Sequence, residues 1–152
     1  MKIIQATLEH LDDIVPLFDA YRVWYNKSSD LLKARRFLAE RLLQSENALF
    51  LVYTEGGVAA GFTQLYPMFS SVRMARLWIL NDLFVAPTAR GNGYSVALIE
   101  KAKEFALKTG AAGLVLETDK TNDIGNKLYP RTDFVLDTTG NHYTWDNPNF
   151  VI

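Results

Sequence analysis

Apolar residues recur along this chain at two spacings, and the switches between them mark out the elements. Residues 2–6 form a short opening strand. Leu11, Ile14, Val15, Leu17, Phe18 and Tyr21 then recur at helical spacing, with Thr7 or a neighbour as cap and Pro16 placed to kink or split the helix. Ser28, Ser29 and Asp30 are cap residues for a second helix, whose apolar stripe comprises Leu31, Leu32, Phe37, Leu38, Leu42 and Leu43. Residues 48–54 and 58–66 read as strands joined at Glu55-Gly56-Gly57, a hairpin signal, and 73–85 as a longer extended run interrupted by Asn81-Asp82. A helix over 91–109 buries Leu98, Ala102, Phe105 and Ala106 on one face and stops at Gly110. A short strand over 113–117, a helix over 122–129 and strands over 134–137 and 142–145 complete the prediction. The order β-α-α-β-β-β-α-β-α-β-β predicts a single α+β domain over 1–152, with helices packed on a central mixed sheet.

Composition narrows the function classes. With 152 residues, 49% of them hydrophobic, the chain suits one domain around one core. Its formal net charge of −1 leaves no global electrostatic footprint for nucleic acid or an anionic membrane. Without cysteine there is no disulfide framework, thiolate nucleophile or thiolate metal site. No apolar run near Met1 reads as a signal peptide, and runs such as 48–53 are too short to span a bilayer, so a soluble, cytoplasmic protein is expected. His10 and His142 stand alone, and no metal site is expected.

Chemistry concentrates between residues 82 and 98. Asp82-Leu83-Phe84-Val85 ends a strand, and Arg90-Gly91-Asn92-Gly93-Tyr94-Ser95 sits where the next helix opens. Glycines let the backbone approach a ligand, and first-turn amides have no intrahelical acceptor. With the helix dipole they form an anion site suited to a pyrophosphate, and Arg90 adds a charge-assisted contact at the rim. An ordinary strand-to-helix glycine turn is the alternative for Gly-x-Gly alone. A P-loop is excluded because no Gly-Lys-Ser/Thr follows, and Ser95 is no nucleophile elbow because Gly-x-Ser-x-Gly fails at Ala97.

Leu83-Phe84-Val85, Pro87 and Arg90-x-x-Gly93-x-Ser95 together resemble the acetyl-CoA motif of the GNAT (Gcn5-related N-acetyltransferase) superfamily, Gln/Arg-x-x-Gly-x-Gly/Ala, with serine in the last place. Asn122 to Tyr129, followed by Asp133-Phe134, is similar to the family's Asn-x-x-Ala-x-x-Leu-Tyr and Gly-Phe. The resemblance implies the GNAT fold, a central mixed, mostly antiparallel sheet flanked by helices. It implies that Leu83, Phe84 and Val85 meet the pantetheine arm, that Gly91, Asn92, Gly93, Tyr94 and Ser95 cradle the pyrophosphate, and that Asn122 contacts the cofactor. Tyr129 is then the acid facing the sulfur. Pro130 disfavours helical dihedrals at that tyrosine.

The implied reaction is direct attack of an amine on the acetyl-CoA thioester, with a strand amide near Phe84 as oxyanion donor. An amine of ordinary pKa about 10.4 arrives protonated and must lose a proton. Asp82, Glu117 or a bound water is the base; Asp82 fixing amides at a bulge is the structural alternative. Tyr21, Trp24 and Tyr25 either face an acceptor amine or belong to the core. Acceptors consistent with the resemblance are a small-molecule primary amine or an exposed lysine, and a homodimer is implied by the resemblance alone. A non-catalytic acyl-CoA-binding sensor is the alternative function.

Overall fold

The predicted alternation is realised in one five-stranded sheet, seen in a computed structural model that describes residues 1–152. Strands β1 (Lys2–Gln5), β2 (Ala48–Tyr53), β3 (Ala59–Ser70), β4 (Ala75–Val85) and β5 (Leu114–Val115) lie in that spatial order. The first four are antiparallel neighbours, and β5 runs parallel to β4. Helices α1 (Leu11–Trp24) and α2 (Leu31–Leu43) precede β2, α3 (Tyr94–Lys108) crosses between β4 and β5, and α4 (Asp123–Arg131) follows β5.

Alternate residues of β2 face opposite ways, as the pleat requires. Leu49 and Leu51 join Ile14, Phe18, Leu38, Phe62 and Phe84 in the core under α1 and α2. Phe50 and Val52 join Leu65, Trp78, Leu80, Leu98, Ile99 and Leu128 under α3 and α4. Each such side chain buried from water contributes about 1.5–3 kcal/mol. The sheet therefore lies between two helical layers, each with its own apolar cluster.

Local chemistry sets the helix ends. Thr7 caps a single 3-10 turn ahead of α1, and the Asp30 carboxylate caps α2 through the Lys33 amide at 3.0 Å. Asp19, buried on α1, accepts from the Ser29 hydroxyl at 2.6 Å and the Asp30 amide at 2.8 Å, fixing the α1–α2 connection. Pro16 neither splits α1 nor ends it.

Several expected boundaries move. α3 starts at Tyr94 instead of 91, because Gly91 and Gly93 are left-handed, at φ 81° and 76°. β3 continues past Tyr66 through Pro67 to Ser70. Proline is tolerated there because Trp78, its β4 neighbour, donates to the Gly113 carbonyl on the far side, while β2 begins only opposite Leu65. Pro130 lies inside α4, near its last turn, so Tyr129 keeps helical geometry despite the proline that follows. The strands expected over 134–137 and 142–145 do not form. Alternation there is real, but a strand needs a ladder partner, and apart from the half-buried Phe134 those residues face solvent beside no strand of their own chain.

Candidate active site

The site begins with a fault in the ladder. Between β3 and β4 the register shifts, so that Gln64 opposes Asp82 and Leu65 opposes Leu80, leaving Asn81 unpaired in a β-bulge. β4 pairs with β5 only before the bulge, at Trp78 and Ile79. Beyond it the two parallel strands part. The Ala86 amide donates to the Ala60 carbonyl at 2.8 Å, so by antiparallel alternation Phe84 also turns its backbone groups toward β3. Leu83 and Val85 turn theirs into the gap. The Phe84 amide, near which the oxyanion donor was expected, is thus turned to β3.

At the C-terminal end of β4 the chain makes a 3-10 turn at Pro87–Ala89 and enters the glycine loop. Asn92 ties the loop down by donating from Nδ2 to the Ala89 carbonyl at 2.9 Å and the Arg90 carbonyl at 3.3 Å. Left-handed Gly93 occupies the N-cap of α3 and offers no side-chain acceptor. As a result the amides of Gly91, Asn92, Gly93, Tyr94, Ser95 and Val96 all lack an acceptor within the chain; the first helical bond runs from Ala97 to the Gly93 carbonyl. A β-carbon added at Gly91 or Gly93 would meet nothing within 4 Å, so the loop is open above. A run of unpaired amides at the start of a helix is an anion cradle. Arg90 closes one side: its Nε donates to the Val85 carbonyl at 3.1 Å, and its guanidinium lies 4.6 Å from the centre of the Trp24 ring. Trp24 is thus stacked against Arg90 and remains 58% exposed.

Under the bulge lies Asp82, only 3% exposed. One carboxylate oxygen accepts from Gln64 Nε2 and the other from Asn81 Nδ2 at 2.9 Å. Burial raises its pKa above the usual carboxylate range, while hydrogen bonds from Gln64, Asn81 and Tyr21 oppose the shift. Asp82 thus orders the side-chain amides of Gln64 and Asn81, where the structural alternative had it fixing backbone amides. Gln64, which sequence reading passed over, is completely buried and accepts in turn from Asn47 at 2.6 Å. Its signal was a Thr63-Gln64 pair inside an apolar strand.

Aromatic hydroxyls gather over the same gap. The Tyr21 hydroxyl donates to the Asn81 carbonyl at 3.5 Å, and its ring packs edge-on against Tyr25, Phe62 and Phe84. Burial pushes the Tyr21 phenol well above its ordinary pKa, and the Asp82 charge adds to this. Tyr129, on α4, is half-buried with its ring edge-on to Phe134 at 5.8 Å. Burial and then the nearby Tyr25 raise its pKa, so it remains a protonated donor at neutral pH. The Asn122 side chain is engaged internally: Oδ1 caps α4 through the Gly125 amide at 3.1 Å, and Nδ2 donates to Thr118 at 2.8 Å. Glu117 is exposed and pairs with His142 at 3.2 Å.

The cradle, the diverging strands and the tyrosines therefore occupy one region, at the C-terminal end of β4. The family model for the acetyltransferase (GNAT) family matches residues 11–134. Uncharacterized N-acetyltransferase YhfO of Bacillus subtilis (strain 168) is 43% identical over 148 residues, covering 97% of this chain and 99% of that protein. A probable acetyltransferase of Haemophilus influenzae is 35% identical over 117 residues, covering 77% of this chain and 80% of that protein. Among solved structures, the crystal structure of a probable acetyltransferase superposes with a TM-score of 0.93 at 38% identity, covering 99% of this chain and all of that one. An aminoglycoside acetyltransferase from a soil metagenome, at 18% identity and a TM-score of 0.82 over 96% of this chain and 95% of that one, shares the fold. No helix of the chain is long and apolar enough to cross a membrane. The chain belongs to the GNAT family of acetyltransferases and is an N-acetyltransferase.

Proposed function

We propose that this enzyme moves the acetyl group of acetyl-CoA to a primary amine, on a small molecule or a lysine side chain, by direct attack. The observation that carries the reading is the run of unpaired amides from Gly91 to Val96. These amides hold the pyrophosphate, and the glycine backbone allows the close approach. Leu83 and Val85 present strand groups to the pantetheine arm, and one of their amides steadies the carbonyl oxygen as charge develops. The bound acetyl-CoA supplies the activated acyl group.

Tyr129 gives its proton to the departing sulfur, for which its raised pKa and hydroxyl without a partner in the chain suit it. Asp82 takes the amine's proton through water at the Asn81 bulge; the raised proton affinity that burial confers makes it a stronger base than an exposed carboxylate. Arg90 and Asn122 act by holding the cradle wall and the start of α4 in place.

The test is release of free coenzyme A across a panel of polyamines, amino acids, aminoglycosides, lysine peptides and peptides with N-terminal alanine. Because the chain has no cysteine, a thiol reagent reports product alone. Amine-dependent thiol release is expected. If saturating acetyl-CoA raises the melting temperature while no amine yields thiol, direct transfer to amines is wrong.

A further inference from the structure

Two polar side chains interrupt the apolar middle of β3. Thr63 and Gln64 are both completely buried, between Phe62 and Leu65. Burying such groups costs stability unless their hydrogen bonds are made. Both make them to Asp82: the Thr63 hydroxyl donates to its carbonyl at 2.8 Å, and Gln64 Nε2 donates to Oδ2 of its carboxylate. The bulge brings the two side chains together. Without it the register from Leu65 and Leu80 would continue, and Gln64 would oppose Asn81 instead of Asp82.

Asp82 depends on such donors. No lysine, arginine or histidine forms an ion pair with it. Tyr21 and Tyr25 of α1 and Tyr66 of β3 face it, and Arg41 of α2, which acts on Tyr66, is engaged by Glu40 at 3.0 Å and Glu46 at 3.2 Å. Burial favours the neutral acid, which cannot serve as a base; donated hydrogen bonds favour the charged form.

Charge also sets the direction of the amides behind Asp82. An ionised carboxylate only accepts, so Gln64 turns Nε2 toward it and Oε1 away. Asn47 meets that Oε1 with Nδ2 at 2.6 Å, and its own Oδ1 is left buried without a partner in the chain. Proteins keep few such atoms, because each one lowers stability. Here the orphaned oxygen follows from pointing two amides, in series, at one carboxylate.

We propose that Gln64, oriented by Asn47, is a positioning residue for acetyl transfer: it keeps Asp82 ionised and fixed beside the Asn81 bulge, ready to take the amine's proton. The proposal rests on the reading of Asp82 as the base. No bond forms or breaks at Gln64. The proton passes from the amine through water to Asp82 and leaves to solvent after the product departs.

Two measurements test this. Carbon-13 NMR of protein labelled at aspartate, with Asp82→Asn to assign the signal, follows the titration of Asp82 directly. The pH profile of kcat/KM, from thiol release with the amine of highest turnover in the panel above, follows the same group in catalysis. Gln64→Met keeps the length of the side chain and removes the donor. A hydrogen bond to a charged group is equivalent to about one to two pH units, so the Asp82 titration and the acid limb of the profile should both move upward by that amount. On that limb kcat/KM should fall about tenfold or more, while KM for acetyl-CoA changes less than about twofold. Asn47→Leu, at a partly exposed site, should move both in the same direction by less. A purely structural role would lower the melting temperature and leave both titrations in place. Wild-type titration and acid limb in the two variants overturn the inference, as does a titration that moves while the acid limb stays. If circular dichroism shows that Gln64→Met does not fold, Asn47→Leu decides alone. Full turnover in Asp82→Asn would remove the base itself; an inactive Asp82→Asn beside an unmoved Gln64→Met profile rejects Gln64 alone.

Discussion

Gly93→Ala isolates the cradle from the rest of the fold. Gly93 sits at φ 76°, ψ 12°, and a β-carbon there would meet nothing within 4 Å, so the substitution creates no clash. Its cost to the free protein is the left-handed backbone alone, roughly 1–2 kcal/mol for a residue other than glycine. For a chain of this length that is a fall in melting temperature of about 2–8 °C. Gly110 provides a matched control: φ 68°, an equally open β-carbon position, and a place at the opposite end of α3. Gly110→Ala should therefore lose similar stability.

Affinity for acetyl-CoA should separate the two. In Gly93→Ala either the methyl group projects toward the phosphates or the backbone leaves the left-handed region and re-aims the Tyr94, Ser95 and Val96 amides. Hydrogen bonds to a charged group contribute about 1.5–3 kcal/mol each, and 1.4 kcal/mol is tenfold in affinity. Losing one such bond should raise the dissociation constant, measured by isothermal titration calorimetry, about 10- to 100-fold. Gly110→Ala should stay within about twofold of wild type. Equal melting losses with wild-type affinity in both variants would refute the assignment of the loop to the pyrophosphate.

Tyr129→Phe keeps the ring contact with Phe134 and removes the proton donor, so kcat should fall about 100-fold while KM for acetyl-CoA changes little in steady-state assays; an unchanged kcat removes Tyr129 from the chemistry. Burial raises the Asp82 pKa above its unfolded value, so the folded state binds that proton more tightly. The resulting stability is fully present below about pH 4 and is lost as pH rises toward the folded pKa. The melting temperature of Asp82→Asn relative to wild type should therefore climb between pH 4 and pH 8, and a flat or falling difference contradicts the raised pKa.

Much of this was legible because burial writes a period into the sequence. Leu49 and Leu51 alternating with Phe50 and Val52, and Leu98, Ala102 and Ala106 at helical spacing, announce their faces directly. The glycine loop was legible for another reason: positive φ at Gly91 and Gly93 is a local demand that few other residues meet. Pairing was harder to read. Gln64 is an ordinary polar residue until the bulged register sets it opposite Asp82. The two expected strands after α4 illustrate the same limit. Alternation around Tyr143 and Trp145 reports that the segment suits a sheet, but says nothing about whether a strand lies beside it to complete a ladder.

Two departures from regular structure meet at the C-terminal end of β4, and their meeting is the physical argument for a ligand there. The bulge at Asn81 turns β4 away from β5, which leaves the gap-facing groups of Leu83 and Val85 without a strand partner. The left-handed glycines leave the amides from Gly91 to Val96 in the same condition. Either fault alone is a tolerable local cost that water can partly offset. Together they leave strand groups of β4 and, after it in the chain, helix-start donors of the open glycine loop without partners. An extended molecule with amide groups along its middle and phosphates at its end matches that order, whereas a compact anion would satisfy only the loop. Inorganic pyrophosphate should therefore protect the protein from melting far less than acetyl-CoA at equal concentration, and equal protection by the two would mean that the strand groups of β4 take no part in binding.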